Sequence, residues 1–345
     1  EDRAVRLVPA ISGSRIFAVS PDGNVMALNI STGKPVWEVE VQDLFSDEEQ
    51  AAIFPEDIDA ITGGVGIGGD LVVVAVVGGK LVALNQSDGS LAWQSDVTSE
   101  VLAPPAVDRD LVVSQSIDGK VAAYDALDGT RQWLYSTSVP SLTLRGTATP
   151  ILLSDLVIAG FANGRIVALN RGQGLPVMDE RIAIAQGKSD LERLIDIDGK
   201  MVVTLNGAQL FVASYQGNLA AVDLKERRVR WMKEASTVAG LGQGFGNIYI
   251  SSADSRVAAL DMENSRESWE NEALLYRDIT APVAISSYIV VGDFEGYIHF
   301  IAQSDGRFTG RRRVDGDGVT SPPVVEGSRV YILANSGRLY SYEIR

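Results

Sequence analysis

Several short stretches carry residue types that can bind or react. Pro140-Ser141-Leu142-Thr143-Leu144-Arg145-Gly146 sets two leucines and an arginine in alternation. On a solvent-facing loop, Leu142 and Leu144 would form an apolar patch with a guanidinium beside it, typical protein-binding hot-spot material. Tucked under a sheet rim, the same leucines would only fill core. Arg193-Leu194-Ile195-Asp196-Ile197-Asp198 alternates carboxylates with isoleucines, so Asp196 and Asp198 share one face. Such a pair can serve as an acid/base couple, hold a cation, anchor an arginine or stand solvated on a surface insertion.

The other candidates read more plainly. Gly64-Val65-Gly66-Ile67-Gly68-Gly69 matches G-x-G-x-x-G. A strand follows it, where phosphate binding needs a helix N-terminus, so it reads as a flexible loop entering a sheet. Gly187-Lys188-Ser189 is the tail of a P-loop, but Ile182 stands where the first glycine belongs. His299 reads as a sheet-interior histidine with a local hydrogen bond, because no base partner is visible in sequence. Asp315-Gly316-Asp317-Gly318 lacks EF-hand spacing and reads as a turn. Arg307 with Arg311-Arg312-Arg313 is the one basic cluster. It is either a charge-protected outer strand or a docking patch for an acidic partner.

Composition removes whole classes of function. Lys+Arg 30 against Asp+Glu 45 leaves a net charge of −15, which argues against nucleic acid or anionic lipid as the main partner. There is no Cys and a single His. Disulfides, thiolate zinc sites, Cys nucleophiles and any mechanism with two imidazoles are therefore excluded. No apolar run reaches the ~18 residues that a membrane helix needs. The expectation is no metal, no cofactor and no catalytic residue. Any signal peptide or lipid-bearing residue would precede Glu1.

The elements that position these residues come from a repeat. Gly23-Asn24-Val25-Met26-Ala27-Leu28-Asn29 recurs as Gly79-Lys80-Leu81-Val82-Ala83-Leu84-Asn85, and the series continues from Gly119, Gly164, Gly217, Ser255, Gly296 and Gly337. The steps between anchors are 56, 40, 45, 53, 38, 41 and 41 residues, about the size of a propeller blade. Ten residues after the anchor stands Gly33, Gly89, Gly129, Gly174 or Gly306, with Arg227 and Ser265 breaking the rule. Fourteen residues after it stand all 5 tryptophans, Trp37, Trp93, Trp133, Trp231 and Trp269, with Met178 and Gly310 in the other two full copies. Asp88-Gly89 reads as a type I′ hairpin. The middle strand of each copy is apolar on both faces, which fits blades stacked face to face.

The expected fold is therefore all-β: one domain over residues 1–345, an eight-bladed propeller of four-stranded antiparallel blades. The eighth copy ends at Arg345 before its last strand. Ala4-Val5-Arg6-Leu7-Val8 is expected to supply that strand and close the ring. Helix is expected only at two capping boxes, Ser46-Asp47-Glu48-Glu49 and Ser189-Asp190-Leu191-Glu192, both in long insertions. The first insertion is wholly acidic in its charges: Asp43, Asp47, Glu48, Glu49, Glu56, Asp57 and Asp59.

The repeat, Ala-x-Asp/Asn followed by Thr/Asp-Gly and then Trp, resembles the quinoprotein-type (PQQ-like) propeller repeat. Over essentially its whole length the chain is similar to the BamB family of the outer-membrane β-barrel assembly (BAM) machinery. Ser141-Leu142-Thr143-Leu144-Arg145-Gly146 and Arg193-Leu194-Ile195-Asp196-Ile197-Asp198 match that family's S-L-S-L-R-G and R-L-x-D-x-D segments. The resemblance implies a non-catalytic subunit on the periplasmic face of the outer membrane, tethered through a lipidated N-terminal Cys that this chain lacks. It implies binding of the BamA POTRA domains through Leu142, Leu144, Arg145, Asp196 and Asp198, and assistance to folding and insertion of barrel proteins. The competing readings are a PQQ-dependent dehydrogenase, which shares the repeat, and direct capture of unfolded outer-membrane proteins by strand addition.

Ring closure through the N-terminal strand has a direct consequence. Deleting residues 1–8 should lower the melting temperature sharply, and an unchanged melting temperature would contradict closure by that strand.

Overall fold

Short apolar runs punctuated by left-handed turns build one antiparallel meander after another. The computed structural model describes residues 7–54, 59–144 and 146–344. Its strands form eight sheets in chain order, over residues 10–40, 61–96, 106–136, 151–181, 202–235, 240–271, 283–313 and 324–343, here sheets 1 to 8. Among the described residues, seven have four strands and sheet 8 has three. Every pairing described between strands within a sheet is antiparallel and joins chain neighbours, such as Leu71↔Asn85 and Ala83↔Trp93 in sheet 2. This is the strand plan of an eight-bladed β-propeller, as expected.

Two compact units divide the sheets. One comprises Glu1–Val139, Arg145–Ala159 and Ala168–Val177; the other comprises Pro140–Leu144, Gly160–Val167 and Met178–Arg345. In the first, Val73, Leu81 and Trp93 of sheet 2 pack on Val112 and Tyr124 of sheet 3. In the second, Tyr249 and Trp269 of sheet 6 pack on Ile289, Val291 and Ile301 of sheet 7. The central strands are buried on both faces, as in Lys80–Asn85, where Leu81 to Leu84 are all at 0% exposure. Burying such side chains stabilises each by about 1.5–3 kcal/mol.

The repeated Trp and the repeated Gly are two halves of one contact. Each indole N–H donates to a carbonyl of the following sheet: Trp37 to Gln86, Trp93 to Ala126, Trp133 to Arg171, Trp231 to Met262 and Trp269 to Gln303, all at 2.8–3.0 Å. Four of the rings lie flat on the next sheet's tenth-offset glycine. A Cβ added at Gly89, Gly129 or Gly174 would stand 2.7, 2.6 or 2.5 Å from a Trp37, Trp93 or Trp133 ring atom, and one at Gly306 would collide with Trp269. One of the two exceptions follows from this pairing: Arg227 succeeds the sheet that carries Met178 in place of Trp. Ser265, by contrast, stands in the glycine's place after a sheet that does carry Trp, Trp231. Arg227 and Ser265 nonetheless keep the left-handed turn, with φ of 53° and 59°.

Three local expectations are corrected or fall elsewhere. The Asp88-Gly89 hairpin is not type I′, because only Gly89 has positive φ (76°). The turn is wider: Gly89 N–H bonds Asn85 O, and the Asp88 carboxylate accepts from the Ser90 amide at 3.0 Å. The first capping box opens the expected helix, Asp47–Ile53. The second forms its bonds, Glu192 N–H to Ser189 Oγ at 3.2 Å, but no helix follows. Leu194, Ile195 and Ile197 are drawn into the core instead, at 8%, 7% and 0% exposure. Of the expected closing strand, residues 4–8, positions 4–6 lie outside the described residues; Leu7 is buried, and Val8 exchanges hydrogen bonds with Gly64 and Val65 of sheet 2.

The Trp–Gly contact can be isolated by comparing two alanine variants. Gly33 (φ 66°) has no described atom near its Cβ position, whereas Gly129 (φ 74°) lies under Trp93. Gly33→Ala should cost about 1–2 kcal/mol, the left-handed penalty alone. Gly129→Ala should cost about 1–3 kcal/mol more, by overpacking against Trp93 and the Ser95 hydroxyl, and Trp93→Met should recover the part of that excess due to the indole. Equal losses in denaturant melts would contradict the contact.

Candidate partner-binding site

Two insertions of the second unit meet where a buried carboxylate holds up an exposed loop. Ile197 pins the lower segment, because a Cβ at Gly160 would collide with it. Tyr215 N–H bonds Asp196 O at 2.8 Å and fixes the backbone beside it. The Asp196 side chain is thereby carried inward, to 1% exposure. Its Oδ1 accepts from the Ile197 amide at 3.1 Å, and its Oδ2 accepts from the Leu144 amide at 3.0 Å. That last bond ties the 140–144 loop down from beneath while its leucines face outward: Leu142 is 42% exposed and Leu144 37%. Of the two sequence readings of these leucines, the solvent-facing one holds.

The carboxylates do not form a solvated stripe. Asp196 lies under the loop, and Asp198 is half-buried and hydrogen-bonded to it. Burial pushes the Asp196 carboxyl above the usual range, although the bonds from Asp198 and from the Leu144 and Ile197 amides pull the other way. Arg145 lies outside the described residues. Gly199 ends the segment, because a Cβ there would stand 2.6 Å from Gly240 Cα, and Leu241 N–H bonds Lys200 O at 3.0 Å. The loop-to-Asp196 bond joins residues 52 apart in sequence, so no local motif announces it.

The other candidates have structural work. Gly64–Gly68 lies in the strand Ile61–Gly68 rather than in a flexible loop. A Cβ at Gly63 would stand 2.6 Å from Val101 O, and Gly66 and Gly68 are equally crowded by Pro105 and Val107, so these glycines permit close backbone approach. At Gly187-Lys188-Ser189 the amides a phosphate would use are taken by the Glu192 carboxylate, at 2.6 and 3.2 Å. His299 is buried, with Nε2 2.7 Å from Asp293 Oδ2, the local bond expected. Arg277, which sequence did not single out, completes that cluster with Nε 2.7 Å from the same oxygen. Asp315 braces a turn, accepting from Asp317 N–H at 2.8 Å and Ser336 Oγ at 2.6 Å. Among the described residues, no group of three or more His, Cys, Asp and Glu side chains is placed to hold a metal.

Residues 47–271 match the family model described as outer membrane protein assembly factor BamB. The protein of that name from Pseudomonas aeruginosa is 43% identical over 339 residues, covering 98% of this chain and 84% of that one. The chain belongs to the BamB family. The Escherichia coli BamB is 37% identical, covering 97% of this chain and 83% of that one. The crystal structure of BamB from Moraxella catarrhalis superposes with a TM-score of 0.87 at 30% identity, covering 100% of this chain and 97% of that one. A quinohemoprotein alcohol dehydrogenase from Pseudomonas putida, at 16% identity and a TM-score of 0.73 over 94% of this chain and 69% of that one, shares the fold alone. Within the BamB family this chain is an outer-membrane protein assembly factor, associated with that membrane.

Asp196 has a pH signature. Its folded-state pKa is raised above the unfolded value, so its contribution to stability is fully present below the unfolded pKa and is lost as pH rises through the folded one. The stability difference between wild type and Asp196→Asn should therefore be largest near pH 4 and shrink toward pH 7. A difference that is flat or grows with pH would contradict the assignment.

Proposed function

We propose that this chain is a non-catalytic subunit of the outer-membrane barrel assembly machinery, lipid-anchored at the periplasmic face, that docks on the POTRA domains of BamA. The docking element is the 140–144 loop, with Leu142 and Leu144 entering an apolar pocket of the partner and Arg145, next in sequence, as a further contact residue. Through that contact the subunit assists folding and insertion of outer-membrane proteins. The observation that supports this most is the pair of outward leucines on a loop whose backbone is fixed by a buried carboxylate, at Leu144 N–H to Asp196 Oδ2, 3.0 Å. A fixed apolar loop loses little conformational freedom on binding, which raises affinity for a given contact area.

The roles divide accordingly. Leu142 and Leu144 are contact residues, each contributing about 1–3 kcal/mol if fully buried in the complex. Asp196 is a positioning residue, since its carboxylate is spent on the loop and on Ile197. Asp198, bonded to Asp196, belongs to the same support.

Capture of a purified BamA POTRA fragment tests the reading. Leu144→Ala with Arg145→Ala should reduce capture at least tenfold while the melting temperature stays near wild type. Wild-type capture by a folded double variant would refute the assignment.

A further inference from the structure

The outermost strand of sheet 7, Phe308–Arg313, is unlike the other outer strands. All six of its residues are exposed, and it carries Gly310 where five other copies carry Trp. Its register with the neighbouring strand Tyr297–Ala302 pairs Tyr297 with Arg313 and His299 with Arg311, so these two arginines share one face and Arg312 takes the other. The guanidiniums are held by aromatic rings. Arg311 and Arg313 stand 5.1 and 5.7 Å from the Tyr297 ring centroid, and Arg312 stands 4.8 Å from that of Tyr342. Ring stacking orders the three cations, and Arg313 Nε also donates to the Asp315 carbonyl at 3.2 Å.

None of these three arginines has a carboxylate at ion-pair distance among the described residues. The contrast with the outer strand of sheet 5 is direct, where Arg228, Arg230 and Lys233 pair with Glu226, Glu263 and Glu267. Carboxylates outnumber cations 45 to 30 in this chain, so three guanidiniums without a carboxylate partner among the described residues, on one exposed strand, mark a surface complementary to negative charge. The strand is also last in its sheet, paired on one side only among the described residues, so its outer N–H and C=O groups can receive another strand.

We propose that Phe308–Arg313 is a docking edge for an extended acidic polypeptide segment, which adds to sheet 7 as a fifth strand. Its backbone pairs with the open edge. Its alternate side chains fall on both faces of the sheet, so carboxylates on one face meet Arg311 and Arg313 and a carboxylate on the other meets Arg312. Directly opposed side chains in such a pair lie about 4.5–5.5 Å apart at Cβ, within reach of arginine–carboxylate bonding. A layer of anionic lipid headgroups would satisfy only one face at a time, which is why a strand is the better fit. This surface is separate from the 140–144 loop and does not depend on its role.

The test uses the full chain and a fluorescein-labelled decapeptide of Thr with three consecutive central Glu residues, which puts carboxylates on both faces of the added strand. Fluorescence anisotropy should show binding that weakens at least tenfold in the Arg311→Gln, Arg312→Gln, Arg313→Gln variant and as NaCl rises from 50 to 300 mM. N-methylating alternate amides on the peptide's pairing edge, which keeps its charge but blocks strand pairing, should weaken binding at least fivefold. This arm decides with wild-type protein alone if the triple variant proves unfolded by circular dichroism. Undiminished binding of the N-methylated peptide, undiminished binding by a folded triple variant, binding only to anionic phosphatidylglycerol vesicles, or no binding of the peptide would each overturn the proposal.

Discussion

The indole-on-glycine contact between successive sheets is the constraint on which the rest depends. A sheet that is apolar on both faces must be covered on both, and a flat tryptophan covers most area where the opposing backbone carries no Cβ. In four of the five contacts the tenth-offset glycine supplies that bare backbone, and its left-handed turn presents a carbonyl that the indole N–H reaches at 2.8–2.9 Å. The contact fixes the packing distance and the register of one sheet on the next together. Length variation between copies is then pushed outward into the connections, which is where the long insertions stand.

The candidate site follows from that arrangement. An insertion on a rigid frame is useful for binding only if it is itself held, and here a buried carboxylate does the holding. Desolvating Asp196 is unfavourable, and the two amide donors it gains offset part of that cost. Burial of such a group serves to place the loop rather than to maximise stability, which fits a positioning role beneath the two leucines. The same frame carries a different surface on sheet 7, where aromatic rings rather than carboxylates order three arginines.

Much of this was legible in the sequence because it is periodic. The eight recurring anchors carry the number of sheets and their order, the apolar middle strands their double-sided burial, and the Trp at offset 14 with the Gly at offset 10 their packing contact. The exposed leucines of the 140–144 loop were visible as an alternation. What periodicity could not carry was long-range. The hydrogen bond from Leu144 to Asp196 spans 52 residues, so the burial of Asp196 was hidden behind a pattern that read as a surface stripe. The second capping box misled for a related reason: its side-chain bonds formed, but buried Leu194, Ile195 and Ile197 drew the following chain inward before a helix could propagate. Asp88-Gly89 misled because only one residue of the turn needed positive φ, not two.

The central functional claim is that the outward leucines of the 140–144 loop are what a POTRA domain touches. Site-specific photocrosslinking tests it most directly, with benzoylphenylalanine at position 142 and, as a control, at Leu205, which is fully exposed. The account predicts that irradiation with the BamA POTRA fragment gives a covalent adduct from position 142 and none from position 205. An adduct from 205 alone, or from neither position while the two proteins still co-purify, would contradict it.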